Sequence, residues 1–361
     1  MRAILCKAFG PPESLVLEEV TAPLPGAGEV LVDVAAVGLN FTDLLAIEGQ
    51  SQLRRSLPII PGIEISGRIS ALGQGVTGFE LGQAVIGHRI SGGYAEQAVF
   101  DADEIYPIPD SMDMVHAAAF SIASTTAQYA LIERGALKAG ETLLVLGAGS
   151  GAGVAAVEIG KILGARVVAA ASSQDKLDLA FERGADEAIL YPRDALDRDG
   201  QKALYAKLIA ASGPLPAVHP AHSVGLISTL SRGKGYEVIY DAVGGSYAEP
   251  ALRSLAWQGR YLSVGFSAGV PAPSLGPLLF KNARIEGIQP SADDQRRLGR
   301  KGPAMEQLIC WYNEGRLRPR VTATFPLERA AEALRQLKDR KALGRVVLIV
   351  DPSLEGPSND A

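Results

Sequence analysis

The chain has 361 residues, 47% hydrophobic and 21% charged, with 40 glycines and 22 prolines. That is more than a single hydrophobic core usually serves, so two domains are expected, in a composition that excludes disorder outside the polar tail DPSLEGPSNDA. Net charge is -5 and no Lys/Arg cluster carries interleaved aromatics, which argues against nucleic-acid binding.

Along the chain, MRAILCKAFGPPE is too short in its apolar stretch to serve as a secretion signal. Cys6 and Cys310 cannot make a disulfide framework, and a cytoplasmic location is expected. Runs such as EVLVDVAAVG, EISGRISALG and GGYAEQAVF cluster apolar residues between Gly/Pro turns and predict a β-rich domain to about residue 120. From about Ser124 strands alternate with helices: ETLLVLG, GVAAVEIGKILG, RVVAAA, KLDLAFERG, EAILY, QKALYAKLIAAS, YEVIYDAV, ALRSLAWQG, RYLSVGF. Such alternation predicts a doubly wound parallel sheet. A helix over 327 to 340, with Leu327, Ala330, Ala331, Leu334 and Leu337 on one face, leads into the strand RVVLIV, which is expected to rejoin the β domain. The stretch from Gly213 to Gly235 is longer than an ordinary αβ connection and reads as a surface insertion or a lid. Its His219 and His222 have ligand-like spacing but lack a third ligand. His88 and His116 read as structural.

The segment LLVLGAGSGAG sets a glycine-rich turn between an apolar strand and the helix GVAAVEIGKIL. Glycines let backbone approach a pyrophosphate, and the helix offers free N–H groups and its positive end. Ala148, Ser150, Gly151, Ala152 and Gly153 are therefore candidate cofactor-binding positions, although a strict GxGxxG is absent. The long apolar run here could imitate a membrane span, but its glycines and Glu158 oppose that reading. NAD enzymes place an acid roughly 20 residues beyond the motif to hold the ribose hydroxyls. Here the second strand ends at Ala171, followed by Ser172 and Ser173, with Lys176 one helical turn on. Two hydroxyls and an ammonium suit a 2′-phosphate, so NADPH is the expected cofactor, with helix capping by a serine as a compatible second role.

Several long motifs resemble the medium-chain dehydrogenase/reductases, in their quinone oxidoreductase or zeta-crystallin-like branch. They are AVGLNFTDLLAIEGQ, LPIIPGIEISGRISALGQGVTGFELGQAVIG, GGYAEQAVF, LKAGETLLVLGAGSGAG, GYEVIYDAVGG, ALRSLAWQGRYLSVGFSAG and GRLRPRVTATFPLERAAEALRQLKDRKALGRVVLIV. The resemblance implies an α/β fold with a GroES-like β-rich catalytic domain at 1–123 and 290–361 and a Rossmann NADPH-binding domain at 124–289. It places Asn40 and Thr126 near the nicotinamide, Ser172 and Lys176 at the 2′-phosphate, Tyr191 beside the adenosine, and Val264, Gly265, Phe266 and Ser267 at the carboxamide. Zinc relatives carry Cys near Phe41 and His at Ile63, so no metal is expected. Without that Lewis acid the expected reaction is NADPH-dependent reduction of a quinone or an α,β-unsaturated carbonyl, with the second proton drawn from solvent. Asn40 and Asp43 are the polar candidates for catalysis, and Asp43 has the alternative of bracing its loop. Enoyl-thioester or alkenal reduction, and a non-catalytic NADPH-binding role like that of a crystallin, are the competing readings. A homodimer pairing edge strands near RYLSVGFSAG is expected by the same resemblance.

Overall fold

The computed structural model describes residues 1–51, 56–213, 235–290 and 301–354. The insertion with His219 and His222, and the end of the polar tail, lie outside the described residues. The chain forms two compact units, Met1–Ala123 with Met305–Ala361, and Ser124–Ala304.

The first unit is built on a seven-stranded sheet whose main path runs Val321–Pro326, Arg345–Ile349, Glu29–Gly38, Glu64–Leu72, Ala84–His88, Ile105–Pro107, with Gln97–Asp101 also pairing Glu29–Gly38. Glu29–Gly38 is central because nearly every side chain in EVLVDVAAVG is apolar and buried. A strand with two buried faces reads as a continuous apolar run, not as an alternation. The last strand, RVVLI, is buried throughout and pairs antiparallel with Glu29–Gly38, which returns the C-terminal part of the chain to the sheet of the first unit. The helix before it spans Ala330–Lys338, preceded by a single turn at Leu327–Arg329. Leu327, Ala330 and Leu334 are buried as their spacing predicts; Ala333 joins them, while Ala331 and Leu337 are only half-buried.

In the second unit six parallel strands lie in the order Glu187–Leu190, Arg166–Ala171, Thr142–Leu146, Tyr236–Asp241, Leu255–Ser263, Arg284–Gly287. By sequence position this is third, second, first, fourth, fifth, sixth, the doubly wound arrangement whose order reverses between Thr142–Leu146 and Tyr236–Asp241. Ligands of such sheets bind where the strands on either side of that reversal end. The sixth strand, RIEG, was not foreseen: with one apolar residue between two charges at the sheet's edge, it carries no periodic signal. No described helix is long and apolar enough to cross a membrane.

Candidate functional site

In the parallel unit, the strand Thr142–Leu146 runs into Gly147, whose φ of 80° turns the chain toward the helix Gly151–Ile162. Ser150 caps that helix: its hydroxyl accepts from Gly153 N at 3.1 Å and donates to Gly147 O at 2.8 Å. The serine thus closes the turn on itself. A Cβ at Gly153 would stand 2.1 Å from Gly147 O, so only glycine lets the helix sit this close to the turn. A bare loop in front of a twelve-residue helix results. The backbone N–H groups of its first turn, at Gly151 and Ala152, and the positive helix end form an anion cradle.

Beyond the neighbouring strand Arg166–Ala171, Ser172 is half-buried and Ser173 is the N-cap of the helix Gln174–Glu182. Ser173 makes no side-chain capping bond; its hydroxyl bonds to Asp175, which holds that carboxyl below its ordinary range. Asp175 is an acid on this turn that sequence reading passed over. Lys176 reaches the glycine turn: a Cβ at Gly149 would lie 2.4 Å from Lys176 Cβ. The predicted pyrophosphate loop and the predicted 2′-phosphate lysine therefore touch. Tyr191 is buried, with its ring centroid 4.9 Å from that of Tyr247. Thr126, in the helix Ser121–Gln128, is half-buried. Across the point of reversal, Val264 N and Gly265 N both donate to Asp241 O, at 2.9 and 3.1 Å, and Ser267 Oγ donates to Ala242 O at 3.3 Å. Phe266 is exposed.

The first unit holds a second polar constellation, buried and charged. Asn40 caps the helix Phe41–Ile47 in a capping box with Asp43, whose Oδ2 accepts from Asn40 N at 2.9 Å. Tyr94 donates its hydroxyl to the same Oδ2 at 3.3 Å, while Asp43 Oδ1 is buried and unpartnered. Asn40 Nδ2 donates to Gly38 O at 3.1 Å and to Glu64 Oε2 at 3.2 Å, and Asn40 Oδ1 accepts from Arg345 Nη1 at 2.9 Å. Both donor hydrogens of that amide are spent inside the protein. Glu64 receives Ser121 Oγ at 3.0 Å and Ile122 N at 2.8 Å on Oε1, and Arg345 Nη2 on Oε2. Burial, opposed by the bonds from Asn40 and Tyr94, raises the Asp43 carboxyl from its ordinary 3.8 to about 7.

Glu64 and Arg345 are the residues sequence reading missed. Each is a charge at the first position of a strand whose opening residues are buried, and that misfit is the signal that could have found them. Of the predicted candidates, the structure brings together Asn40 with Asp43, the glycine turn with Lys176, and Val264 to Ser267 with the end of Tyr236–Asp241. Among the described residues, no three His, Cys, Asp or Glu side chains stand together as a metal site.

Two family models match the chain: the alcohol dehydrogenase GroES-like domain over residues 26–110 and the zinc-binding dehydrogenase over residues 223–348. Quinone oxidoreductase-like protein 2 of Bos taurus is 33% identical over 349 residues, covering 96% of this chain and 92% of its own. Among solved structures, a mycobacterial protein complexed with NADPH superposes with a TM-score of 0.83 at 28% identity, covering 97% of this chain and all of its own (100%). Quinone oxidoreductase of Escherichia coli, also complexed with NADPH, gives a TM-score of 0.81 at 26% identity, over 97% of this chain and 100% of its own. With relatives matched from end to end, and with a β-rich and a doubly wound unit in the same chain, this protein belongs to the medium-chain dehydrogenase/reductases, in their quinone oxidoreductase-like branch.

Proposed function

We propose that this chain is an NADPH-dependent, zinc-independent reductase acting on a quinone or an α,β-unsaturated carbonyl, with Ser124–Ala304 as its nucleotide-binding unit. The observation that carries the reading is the contact between Gly149 and Lys176 beside a strand ending in Ala171, with no acid in the ribose position. The cradle fits the cofactor: Gly153 leaves room for backbone alone, and the helix Gly151–Ile162 points free N–H groups at an anion. In this reading Ala148 to Gly153 hold the pyrophosphate, with Ser150 keeping the turn closed. Ser172 and Lys176 bind the 2′-phosphate, and Tyr191, anchored on Tyr247, borders the adenosine. Backbone of Val264 to Ser267 receives the carboxamide, and Thr126 borders the nicotinamide. NADPH, when bound, supplies the hydride, and the protein's task is to orient it and exclude water. Phe41 and Ile63 offer no ligand atoms, which supports chemistry without zinc. Asn40 and Asp43, joined to one another and, through the Asn40 amide, to Glu64 and Arg345, serve as the brace of the catalytic unit.

Following NADPH oxidation at 340 nm with a quinone, a 2-alkenal and an enoyl thioester tests the reading. Turnover of the first two supports it; tight NADPH binding with no turnover of any acceptor points to the non-catalytic role instead. Lys176→Ala is expected to weaken NADPH by about tenfold or more and NADH by about twofold or less, because a charge-assisted phosphate contact contributes roughly 1.5–3 kcal/mol. Equal losses would remove the 2′-phosphate assignment.

A cytoplasmic homodimer completes the proposal. RYLSVGFSAG does not supply the edge, because its strand, Leu255–Ser263, lies between Tyr236–Asp241 and Arg284–Gly287; the edge strand is Arg284–Gly287, with exposed Ile285, and the helix Gly276–Lys281 exposes Leu279 and Phe280, 80% and 74% accessible. Apolar surface beside an edge strand is suited to a second copy. Light scattering should return twice the chain mass.

A further inference from the structure

Asp241 ends the fourth strand of the parallel sheet in register with Leu146, the residue before the glycine turn. Its side chain is 1% exposed. Oδ1 accepts from Val243 N at 2.8 Å and from Gly244 N at 2.9 Å; Oδ2 accepts from the hydroxyl of Tyr261, a buried residue on the fifth strand. These three donors are neutral. Burial pushes the Asp241 carboxyl up, against the pull of Tyr261 and the two backbone bonds. Keeping a carboxyl there costs free energy that a simple surface turn would not require.

The carboxyl ties the turn at Val243 and Gly244 to the fifth strand through Tyr261, and the backbone carbonyl of Asp241 takes Val264 N and Gly265 N. The turn it organises reaches the next loop again through Ala268 N to Val243 O and Gly245 N to Gly269 O, both 2.8 Å. In the other direction, a Cβ on Gly147 would lie 2.9 Å from Val243 Cγ2. Gly244, with φ 66°, would carry a Cβ 3.1 Å from Phe266 Cα. The contacts leave little slack, so a shift of the 241–245 turn is passed both to the pyrophosphate turn and to Val264–Ser267.

We propose that Asp241 is a positioning residue for hydride transfer, which sets, with Tyr261 as its clamp, where the Val264–Ser267 backbone stands relative to the glycine turn. This rests on the reading above that Val264–Ser267 holds the nicotinamide carboxamide. A misplacement of about 1 Å at a reacting centre can cost roughly a hundredfold in rate, so the clamp acts on chemistry more than on binding.

The test uses the full chain and two variants, Asp241→Asn and Tyr261→Phe; the second deletes a single hydroxyl and keeps the experiment interpretable if the first does not fold. Three probes are titrated: NADPH, its 3-acetylpyridine analogue in which the carboxamide is altered, and 2′,5′-ADP, which reports the phosphate end alone. The unaltered protein is expected to prefer NADPH to the analogue by about tenfold, and each variant that folds to reduce that preference to about twofold while 2′,5′-ADP affinity stays within about twofold. Single-turnover reduction of a quinone should slow by about tenfold or more. An unchanged preference in the variants overturns the positioning role while leaving the carboxamide reading intact. Equal binding of NADPH and the analogue by the unaltered protein overturns the carboxamide reading, and the positioning role with it. A parallel loss of 2′,5′-ADP affinity shows general damage and also overturns the positioning role.

Discussion

Arg345→Met should cost the β-rich unit several kcal/mol, while Arg345→Met combined with Glu64→Gln should recover most of it. Arg345 is 6% exposed and Glu64 is fully buried, and the two are joined through Nη2 and Oε2. An ion pair of this kind stabilises little in net terms, because desolvation offsets the attraction; breaking it from one side is a different matter and costs about 3–5 kcal/mol. The asymmetry is sharpened here by Asp43, which shares Asn40 with the pair: removing the guanidinium leaves two buried carboxyls with no cation between them. Against a total stability of about 5–15 kcal/mol the single variant should lose a large share, seen as a lower urea midpoint. Glu64→Gln keeps the shape and the bond from Ser121 but removes the charge that Arg345 neutralises, so the double variant should lie within about 2 kcal/mol of the unaltered protein. A single variant within about 1 kcal/mol of the unaltered protein, or a double variant no better than the single, would show that the pair does not carry the cluster.

That cluster also marks the limit of what local pattern can reveal. The alternation of strands and helices after Ser124, the glycine turn and the apolar run RVVLIV are periodic over a few residues, and the doubly wound parallel sheet, the helix after the glycine turn and the return of the last strand followed from them. Glu64 and Arg345 are 281 residues apart, and neither strand's pattern announces the other. Asn40 and Asp43 drew notice as a polar pair on a loop, yet the partners that decide what their atoms can do come from three other places in the chain, at Glu64, Tyr94 and Arg345. Lys176 was legible by its distance from the second strand, whereas its seat against Gly149 required the fold. Asp241 and Tyr261 look like ordinary strand residues until the register sets the two strands side by side. Charges buried by long-range pairing leave no periodic trace, and in this chain they lie beside the residues expected to bind or react.

Asp43→Asn is expected to change how stability depends on pH. In the folded protein burial raises the Asp43 carboxyl to about 7, against 3.8 ordinarily, so the folded state holds its proton more tightly than the unfolded chain does. The resulting stabilisation is complete below about pH 4, and is lost progressively as pH rises to about 7 and the buried carboxyl has to ionise beside Glu64. A gap of about three pH units corresponds to roughly 4 kcal/mol. An asparagine at this position has no proton to lose, and its carbonyl can still accept from Asn40 N and Tyr94. The variant should therefore match the unaltered protein to within about 1 kcal/mol at pH 4 and gain on it steadily toward pH 8, by urea denaturation at each pH. A difference that stays constant across that range would mean that Asp43 is ionised throughout. Activity separates bracing from proton delivery: if Asp43 only braces the loop, the variant's turnover of a 2-alkenal at pH 6 should stay within about threefold. A carboxyl that delivers the proton to the reduced carbon would cost about a hundredfold or more when replaced by an amide. The capping box, the bond from Tyr94 and the 1% exposure of Asp43 favour the brace.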